Sequence, residues 1–325
     1  MATLKTTFAG LELRNPIIVS SSGLTDSAEK NQKFYEAGVG AIVLKSLFEE
    51  QIMMEADWLG NPNMYPEGSD YLVEYIRQHK LSEYLELIKE TKKVCPIPVI
   101  ASINCYQNAE WINFAEQIEA AGADAIEINI LALQADIQYK YGSFEQRHID
   151  ILSHIKKTVR IPIIMKLGDN LTNPVALIDQ LYANGASAIV LFNRFYQPDI
   201  DIEHLKQISG NVFSASSELA KSLRWIGIAS AAVNKLDYAA SGGIHSPEGI
   251  VKAILAGASA VEICSAFYQN SYNLVGEYVR FLNLWMDRKG MQTISQFKGM
   301  LNVNDLNGVN TFERAQFMKY FSNRK

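Results

Sequence analysis

Cysteine is scarce in this sequence. The three cysteines stand at positions 95, 105 and 264, an odd number without close spacing. Such a set excludes a disulfide framework and a cysteine-only zinc site, and it is typical of proteins kept in a reducing compartment. The five histidines show no metal-ligand spacing. We therefore expect a cytoplasmic protein without a bound metal.

Long apolar runs and basic clusters are also missing. No run reaches the roughly 18 residues that a membrane-spanning helix needs, and the N-terminal residues lack the apolar centre of a signal peptide. The formal net charge is −5. This mildly acidic balance argues against nucleic acid or an anionic membrane as the main partner, and a small molecule is the expected ligand.

The chain is long enough to bury a large core, with 325 residues of which 48% are hydrophobic. Barrels of alternating strands and helices often reach this length as one domain. We therefore expect residues 1–325 to form a single domain.

A short pattern recurs four times along the chain, as AGVGAIVLK (37–45), AGADAIEIN (121–129), NGASAIVLF (184–192) and AGASAVEIC (256–264). The glycines of successive copies are 84, 63 and 72 residues apart. A strand followed by a helix takes 30 or more residues with its crossover, so each spacing corresponds to about two such units.

A second pattern, proline followed by an apolar strand, occurs between these copies as NPIIVS (15–20), IPVIAS (97–102) and IPIIMK (161–166). Interleaving the two series predicts strands near residues 17, 41, 99, 125, 163, 188, 237 and 260. Eight strands close a (β/α)8 TIM barrel, in which odd and even strands fill different layers. An open doubly wound sheet is the alternative, but the sequence has no G-x-G-x-x-G to support it.

Three segments exceed the minimal barrel. Residues 1–14 predict an N-terminal hairpin that caps the bottom. Residues 46–80 form a long insertion after the second strand, whose Met, Trp and Tyr content favours an ordered lid. Residues 195–216, after the sixth strand, predict a small hairpin. Both insertions are expected on the catalytic face.

The segment 241–266 has the features of a phosphate site. Gly242-Gly243 forms a turn without Cβ atoms after one strand, and Cys264-Ser265 opens a helix after the next. In such barrels the loops after strands seven and eight usually hold phosphate. Two ordinary strand-to-helix turns are the alternative. Cys264 could be a reactive thiolate, but packing as a small residue near the phosphate is the favoured interpretation.

Polar residues cluster where the predicted strands end, which is the catalytic face of this architecture. These residues are Ser20, Ser21, Ser22, Lys45, Ser46, Ser102, Asn104, Asn129, Lys166 and Asn193. A lysine at the end of a buried strand needs an anionic or acceptor partner. Lys45 and Lys166 could form an ion pair with Glu127 or Glu262, stabilise negative charge on a reduced cofactor, or form a Schiff base with a carbonyl substrate.

The order of the motifs resembles the dihydroorotate dehydrogenase family, FMN-containing (β/α)8 barrels, over nearly the entire chain. NPIIVSSSG is similar to its N-P-x-x-x-A-S-G, LKS to T-K-S, EIN to E-L-N, and MKL to V-K-L. SGGI is similar to T-G-G-I, AGASAVEICSAF to C-G-A-x-x-x-Q-I-G-T-A, and GMQTISQFKGML to G-Y-x-S-I-x-D-F-x-G-x-L. Any one motif is weak, but in this order they are specific.

The resemblance implies roles for three groups of residues. Those along the isoalloxazine ring of FMN would be Ser21, Ser22 and Lys45, with Asn129 and Lys166 near its reactive and N1/O2 side. Those holding the phosphate would be Gly242, Gly243, Cys264 and Ser265. Those contacting the substrate would be Asn193, Gln134 in place of a family Asn, and Asn61 or Asn63 of the insertion.

The clearest departure from the family is the catalytic base. Where the family has Cys or Ser, this chain has Ala132, which cannot accept a proton. Ser214-Ala215 also replaces a Ser-Gly pair near the cofactor. Other groups could supply the base; these are Tyr139, Tyr141, Asp136 and Cys105. For the two tyrosines, packing of the following helix is the favoured alternative.

The resemblance as a whole implies an FMN-dependent oxidoreductase of pyrimidine biosynthesis that oxidises dihydroorotate to orotate by hydride transfer to flavin N5. A homodimer and an electron-transfer partner subunit are further expectations. Three alternatives stay open: a diverged flavoenzyme acting on another activated C=C bond or dihydropyrimidine, a lysine Schiff-base aldolase on the same barrel, and a non-catalytic flavin-binding relic.

Overall fold

The computed structural model describes residues 2–48, 66–104, 111–304 and 312–313, without the side chains of 66–74 and 111–113. The chain begins with an antiparallel hairpin of β1 (Thr6–Phe8) and β2 (Leu11–Leu13). The strands that follow are parallel. They are β3 (Ile17–Val19), β4 (Ala41–Val43), β5 (Leu47–Phe48), β6 (Val99–Asn104), β7 (Ala125–Asn129), β8 (Ile163–Gly168), β9 (Ala188–Asn193) and, after an insertion that contains β10 (Pro198–Asp201) and β11 (Lys206–Ser209), β12 (Asp237–Ser241) and β13 (Ala260–Ile263).

The parallel strands form a closed barrel. Each pairs with its neighbour in chain order, β13 pairs with β3, and β4 pairs with β6, so the described barrel has no free edge. The short strand β5 continues beyond β4 and pairs with the end of β6. All eight predicted strand positions fall inside the eight barrel strands. The predicted (β/α)8 barrel is confirmed.

Helices surround the barrel on the outside. They are α1 (Ala28–Ala37), α2 (Pro66–Val94), α3 (Trp111–Ala120), α4 (Ser143–Thr158), α5 (Pro174–Ala183), α6 (Leu219–Ala232), α7 (Pro247–Ala256), α8 (Ser265–Asn270) and α9 (Leu274–Lys289). The glycines of the four-fold repeat follow four of these helices and all have positive φ, from 96° to 125°. The repeat therefore encodes a helix stop followed by a buried strand, since left-handed backbone at a helix end favours glycine.

The core has two layers. Inward-facing residues such as Ile18, Ile164 and Val190 fill the lower barrel together with Phe8 and Leu13 of the N-terminal hairpin. The outward-facing strand residues pack against the helices in a second, larger cluster. The hairpin thus closes the bottom of the barrel, as predicted, and leaves the carboxyl ends of the strands for ligand binding.

The insertion after β9 is a two-stranded antiparallel hairpin of β10 (Pro198–Asp201) and β11 (Lys206–Ser209). Only part of the segment 46–80 is described. Its last residues belong to α2, which continues to Val94, while residues 49–65 lie outside the described residues. A covering role for 46–80 therefore stays a prediction. No described helix combines the length and apolar character needed to span a bilayer.

Candidate active site

Two adjoining cavities open at the carboxyl ends of the barrel strands. Their volumes are about 280 and about 380 Å³, and the residues that line both are Ser21, Lys166, Asn193 and Arg194. A cleft of this combined size suits a cofactor together with a small substrate.

The first cavity contains the predicted phosphate residues Gly242, Gly243, Cys264 and Ser265. Gly242 has φ +87°, and nothing lies within 4 Å of the position a Cβ would take, so its backbone faces open space. Gly243 has φ +72°, and a Cβ there would collide with the backbone of the first residue of α6. The turn therefore needs glycine at both positions. Gly242 has a left-handed backbone conformation beside the cavity, and Gly243 has such a conformation and also no room for a Cβ.

Hydroxyl groups brace this turn from the neighbouring loop. Ser214 Oγ accepts a hydrogen bond from Gly243 N at 3.2 Å and lies 3.1 Å from Nε2 of His245. Ser214 N donates to Ser265 Oγ at 3.0 Å. The helix that Ser265 opens, α8, is only six residues long. Burial raises the pKa of the Cys264 thiol, which argues against a reactive thiolate and supports the packing interpretation.

A chain of hydroxyl and amide groups crosses the second cavity. Ser21 Oγ lies 2.9 Å from Ser46 Oγ, which lies 2.7 Å from Ser102 Oγ. Asn129 Nδ2 donates to Ser102 Oγ at 3.1 Å, and Asn193 Nδ2 donates to Asn129 Oδ1 at 3.1 Å. Because each amide is fixed by its neighbour, the side chains at the ends of five strands are held in one arrangement before a ligand binds.

The two candidate lysines differ in burial. Lys45 lines the second cavity but is exposed, and its ammonium makes no hydrogen bond or ion pair with a described residue. The expectation that Lys45 ends a buried strand is wrong, because β4 ends at Val43 and Lys45 lies two residues beyond it. Lys166 is buried, and its Nζ lies 2.6 Å from Glu262 Oε2 and 3.3 Å from Glu127 Oε1. The predicted ion pair is therefore present at Lys166, whose ammonium contacts the carboxyl groups of both Glu127 and Glu262.

This ion pair decides the protonation of Lys166. Burial alone would lower its pKa, but Glu127 and Glu262 outweigh that effect and raise the pKa above its usual value. A Schiff-base lysine must instead lose its proton easily, usually through a depressed pKa. Lys166 therefore stays protonated, which argues against the aldolase alternative at this residue.

Comparison with known proteins agrees with the geometry of the site. A family model described as dihydroorotate dehydrogenase matches residues 3–283. The chain belongs to the dihydroorotate dehydrogenase family. This membership makes it an oxidoreductase of that family, and the resemblance of its motifs is confirmed.

Several relatives in the family cover almost the whole chain. The catalytic subunit of dihydroorotate dehydrogenase B (NAD(+)) from Thermoplasma volcanium is 27% identical over 92% of this chain and 99% of its own length. The corresponding subunit from Methanocaldococcus jannaschii is 26% identical over 83% and 89%. The NAD-dependent dihydropyrimidine dehydrogenase subunit PreA from Escherichia coli is 24% identical over 93% and 77%.

The structure places the alternative bases away from the cleft. Tyr139 packs against the core, and its hydroxyl donates to Glu145 Oε2 at 3.4 Å. Tyr141 is 93% exposed and meets the ring of Tyr139 edge-on. Asp136 is exposed and caps the backbone N–H of Gln138. None of these three lines either cavity, so a base among them stays a prediction without geometric support.

Of the remaining predicted residues, some line a cavity and the others lie outside both cavities or outside the described residues. Ser22 lines the second cavity. Ala132 lies outside both cavities, and its carbonyl accepts a hydrogen bond from Asn170 at 2.9 Å. Gln134 also lies outside both cavities, although its Nε2 is buried without a partner among the described residues. Three further candidates lie outside the described residues; these are Asn61, Asn63 and Cys105.

Arg194 was missed by the sequence reasoning although it lines both cavities. Its Nε donates to Glu218 at 3.0 Å, and its two terminal nitrogens donate to the carbonyls of Asn211 and Val212 at 2.9 and 3.0 Å. These bonds fix the return of the 195–216 hairpin against the cleft. The sequence feature that could have identified Arg194 is its position immediately after the strand-end residue Asn193.

Proposed function

We propose that this family member is an FMN-dependent oxidoreductase acting on a CH–CH bond, with dihydroorotate as its first candidate substrate and orotate as the product. The observation that carries the proposal is the first cavity, which the Gly242-Gly243 turn and the buried cation Lys166 line together. One end offers backbone and hydroxyl groups to a phosphate, and the other offers a positive charge to a reduced ring.

The residues present fit FMN. The backbone of Gly242 faces open space, and Ser214 and Ser265 lie beside the turn, so a terminal phosphate could be accepted there. The residues that would hold the phosphate are Gly242, Gly243, Cys264 and Ser265. Those that would flank the ring are Ser21, Ser22, Lys45, Asn129 and Lys166. A site that closes around one phosphate favours FMN over FAD.

FMN, when bound, supplies a hydride acceptor, while the chain supplies orientation and charge. Oxidation of dihydroorotate removes a hydride from C6 and a proton from C5. Lys166 opposes the negative charge that arrives in the cleft with the hydride, and this interaction strengthens as the charge develops. The linked amides of Asn129 and Asn193 would orient the substrate, since each is fixed by hydrogen bonds on the strand ends.

The proton at C5 raises the question of the natural substrate. Ala132 cannot accept it, and a positioned base contributes about 10²- to 10⁴-fold to such a step. We therefore infer slow oxidation of dihydroorotate. A different dihydropyrimidine or another activated C=C bond is the second candidate, supported by the similarity to a relative named as a dihydropyrimidine dehydrogenase subunit.

Anaerobic titration of the flavin-loaded protein tests both the proposed cofactor and the proposed substrate. The released cofactor is first identified by chromatography, and FMN is the expected result. The protein is then mixed with dihydroorotate, dihydrouracil and dihydrothymine, and flavin bleaching is followed by absorbance. Bleaching by one of them identifies the substrate class. Protein that binds no FMN and is trapped on Lys45 or Lys166 by borohydride with a carbonyl compound would instead be an aldolase.

We also propose a cytoplasmic homodimer that passes electrons to a partner subunit. Apolar side chains are exposed on and beside the β10–β11 hairpin, among them Ile200, Ile202, Leu205 and Val212. Exposed apolar patches of this kind mark protein interfaces. Sedimentation of wild type and Leu205→Asp tests the dimer.

The names of two relatives as catalytic subunits support a partner subunit for this chain. Co-purification from the native host tests this partner.

A further inference from the structure

Three ionisable side chains lie together inside the barrel beneath the cleft. The side chain of Lys166 is 5% exposed, and those of Glu127 and Glu262 are 0% exposed. They come from β8, β7 and β13, and Lys166 and Glu262 also line the first cavity. Two carboxyl groups and one ammonium therefore share one buried volume that borders the ligand site.

The hydrogen bonds available do not satisfy two ionised carboxylates. Glu262 Oε2 accepts from Lys166 and, at 3.0 Å, from Ser20 Oγ. Glu127 Oε1 accepts from Lys166 at 3.3 Å and from Asn129 Nδ2 at 3.5 Å. The second oxygens, Glu127 Oε2 and Glu262 Oε1, are buried without a partner in the described part of the chain. Since a buried net charge is costly, one proton on the pair makes the cluster neutral.

Geometry assigns this proton mainly to Glu127, because the shorter ammonium contact and the serine bond both go to Glu262. Burial and the neighbouring Glu262 raise the pKa of Glu127 well above its usual value. Among the described residues, two other titratable groups face the cluster. Tyr84 of α2 contacts Ser102, and burial raises its pKa; burial also raises the pKa of Cys264, so both stay neutral.

We propose that Glu127 and Glu262 share one proton under Lys166, and that this pair takes up a second proton when negative charge develops in the cleft. The proposal rests on the proposed function, because flavin reduction is the event that brings this charge. Two electrons and one proton arrive as the hydride of the substrate. As the ammonium of Lys166 turns toward the cleft, it no longer offsets the negative charge of Glu262. The Glu262 carboxylate then binds a proton from solvent. The net charge of the buried site is then unchanged.

The first experiment needs no flavin, so its outcome is independent of the proposed function. Infrared spectra of the flavin-free protein at neutral pH should show a buried carboxylic acid C=O band. This band should disappear in Glu127→Gln and persist in Glu12→Gln, which makes the same chemical change at an exposed carboxylate of β2. A wild-type spectrum without the band would overturn the shared proton.

The second experiment measures the midpoint potential of the FMN-loaded protein as a function of pH, since the slope reports protons taken up per electron. We expect one proton per electron for wild type and half that slope for the double variant Glu127→Gln/Glu262→Gln. Half a proton per electron in wild type would overturn the proposal. An unchanged slope in the double variant would also overturn it, because the second proton would then reside on the ring.

A double variant that does not fold leaves two measurements. The wild-type slope still decides between one and two protons. The infrared difference between reduced and oxidised wild type should show a gained carboxylic acid band, and this band should be lost in Glu262→Gln; a spectrum without the gain would contradict uptake by the pair. Failure to bind FMN would refute the proposed function alone and leave the infrared result on the flavin-free protein standing.

Discussion

Replacing Glu127 by glutamine should change how the stability of the protein depends on pH. Glutamine has the shape of the protonated carboxyl group and keeps an oxygen that can accept from Lys166, which lies 3.3 Å from Glu127 Oε1. It cannot ionise. The variant therefore reproduces the expected state of Glu127 in the folded protein and removes only its titration.

The direction of the effect follows from the raised pKa of Glu127, which is caused by burial and by Glu262. A group whose pKa is higher in the folded state contributes stability at low pH, below its value in the unfolded chain. That contribution is lost as the pH rises toward the folded-state pKa, because the unfolded state releases the proton first. Wild type should therefore lose stability relative to Glu127→Gln above about pH 4.3, the ordinary glutamate value.

The size of the effect is set by one proton. Each pH unit between the unfolded-state and folded-state pKa values should cost wild type about 1.4 kcal/mol relative to the variant. Two pH units inside this window amount to about 2.7 kcal/mol, a large share of a typical stability of about 5–15 kcal/mol.

Urea unfolding of wild type, Glu127→Gln and Glu12→Gln at half-unit pH steps from 4 to 8 measures this difference. The free energy of unfolding of Glu127→Gln should increase relative to that of wild type as the pH rises. The difference between Glu12→Gln and wild type should stay constant. A constant offset between wild type and Glu127→Gln would mean that Glu127 is already ionised in the folded protein. The account of the shared proton would then be wrong.

Four further outcomes are expected. Lys166→Ala should slow flavin reduction by about 10²- to 10³-fold in stopped flow and weaken FMN binding far less, because its charge acts as negative charge develops; reduction at the wild-type rate would remove this role. Ala132→Cys should raise flavin reduction by dihydroorotate if only the base is missing, whereas Tyr139→Phe should leave it unchanged, since that hydroxyl contacts Glu145. Gly243→Ala should lower the melting temperature and FMN affinity together, because its Cβ would collide with neighbouring backbone; a variant with normal affinity would contradict the tight turn. A tight substrate analogue should protect the segment 46–80 from proteolysis, and unchanged cleavage there would count against a lid.

The barrel could be predicted from the sequence because its information is local and repeated. Each repeat copy places a glycine with left-handed backbone after a helix and an apolar strand directly after it, as at Gly38 and Gly257. Such a signal does not depend on distant contacts. The polar residue that ends each strand was predictable for the same reason, since parallel strands of a barrel end on one face.

Contacts across the barrel interior could be predicted only as alternatives, because the sequence offered Glu127 and Glu262 as partners of either lysine without deciding between them. Glu127 and Glu262 are far apart in the sequence, and they meet at Lys166 only because the strands close into a ring with a particular stagger. The length of a strand also decides exposure, as at Lys45, which lies two residues past the end of β4 and is exposed.

The sequence by itself determined the eight strands, the closed barrel and the family, because periodic burial and helix stops are properties of short segments. Only the tertiary structure decided which lysine is a paired, permanent cation, that two carboxyl groups share its charge, and that Tyr139 contacts Glu145 instead of the cleft. Protonation depends on burial and on distances of a few ångströms between groups from different strands. Those distances exist only after the ring has closed.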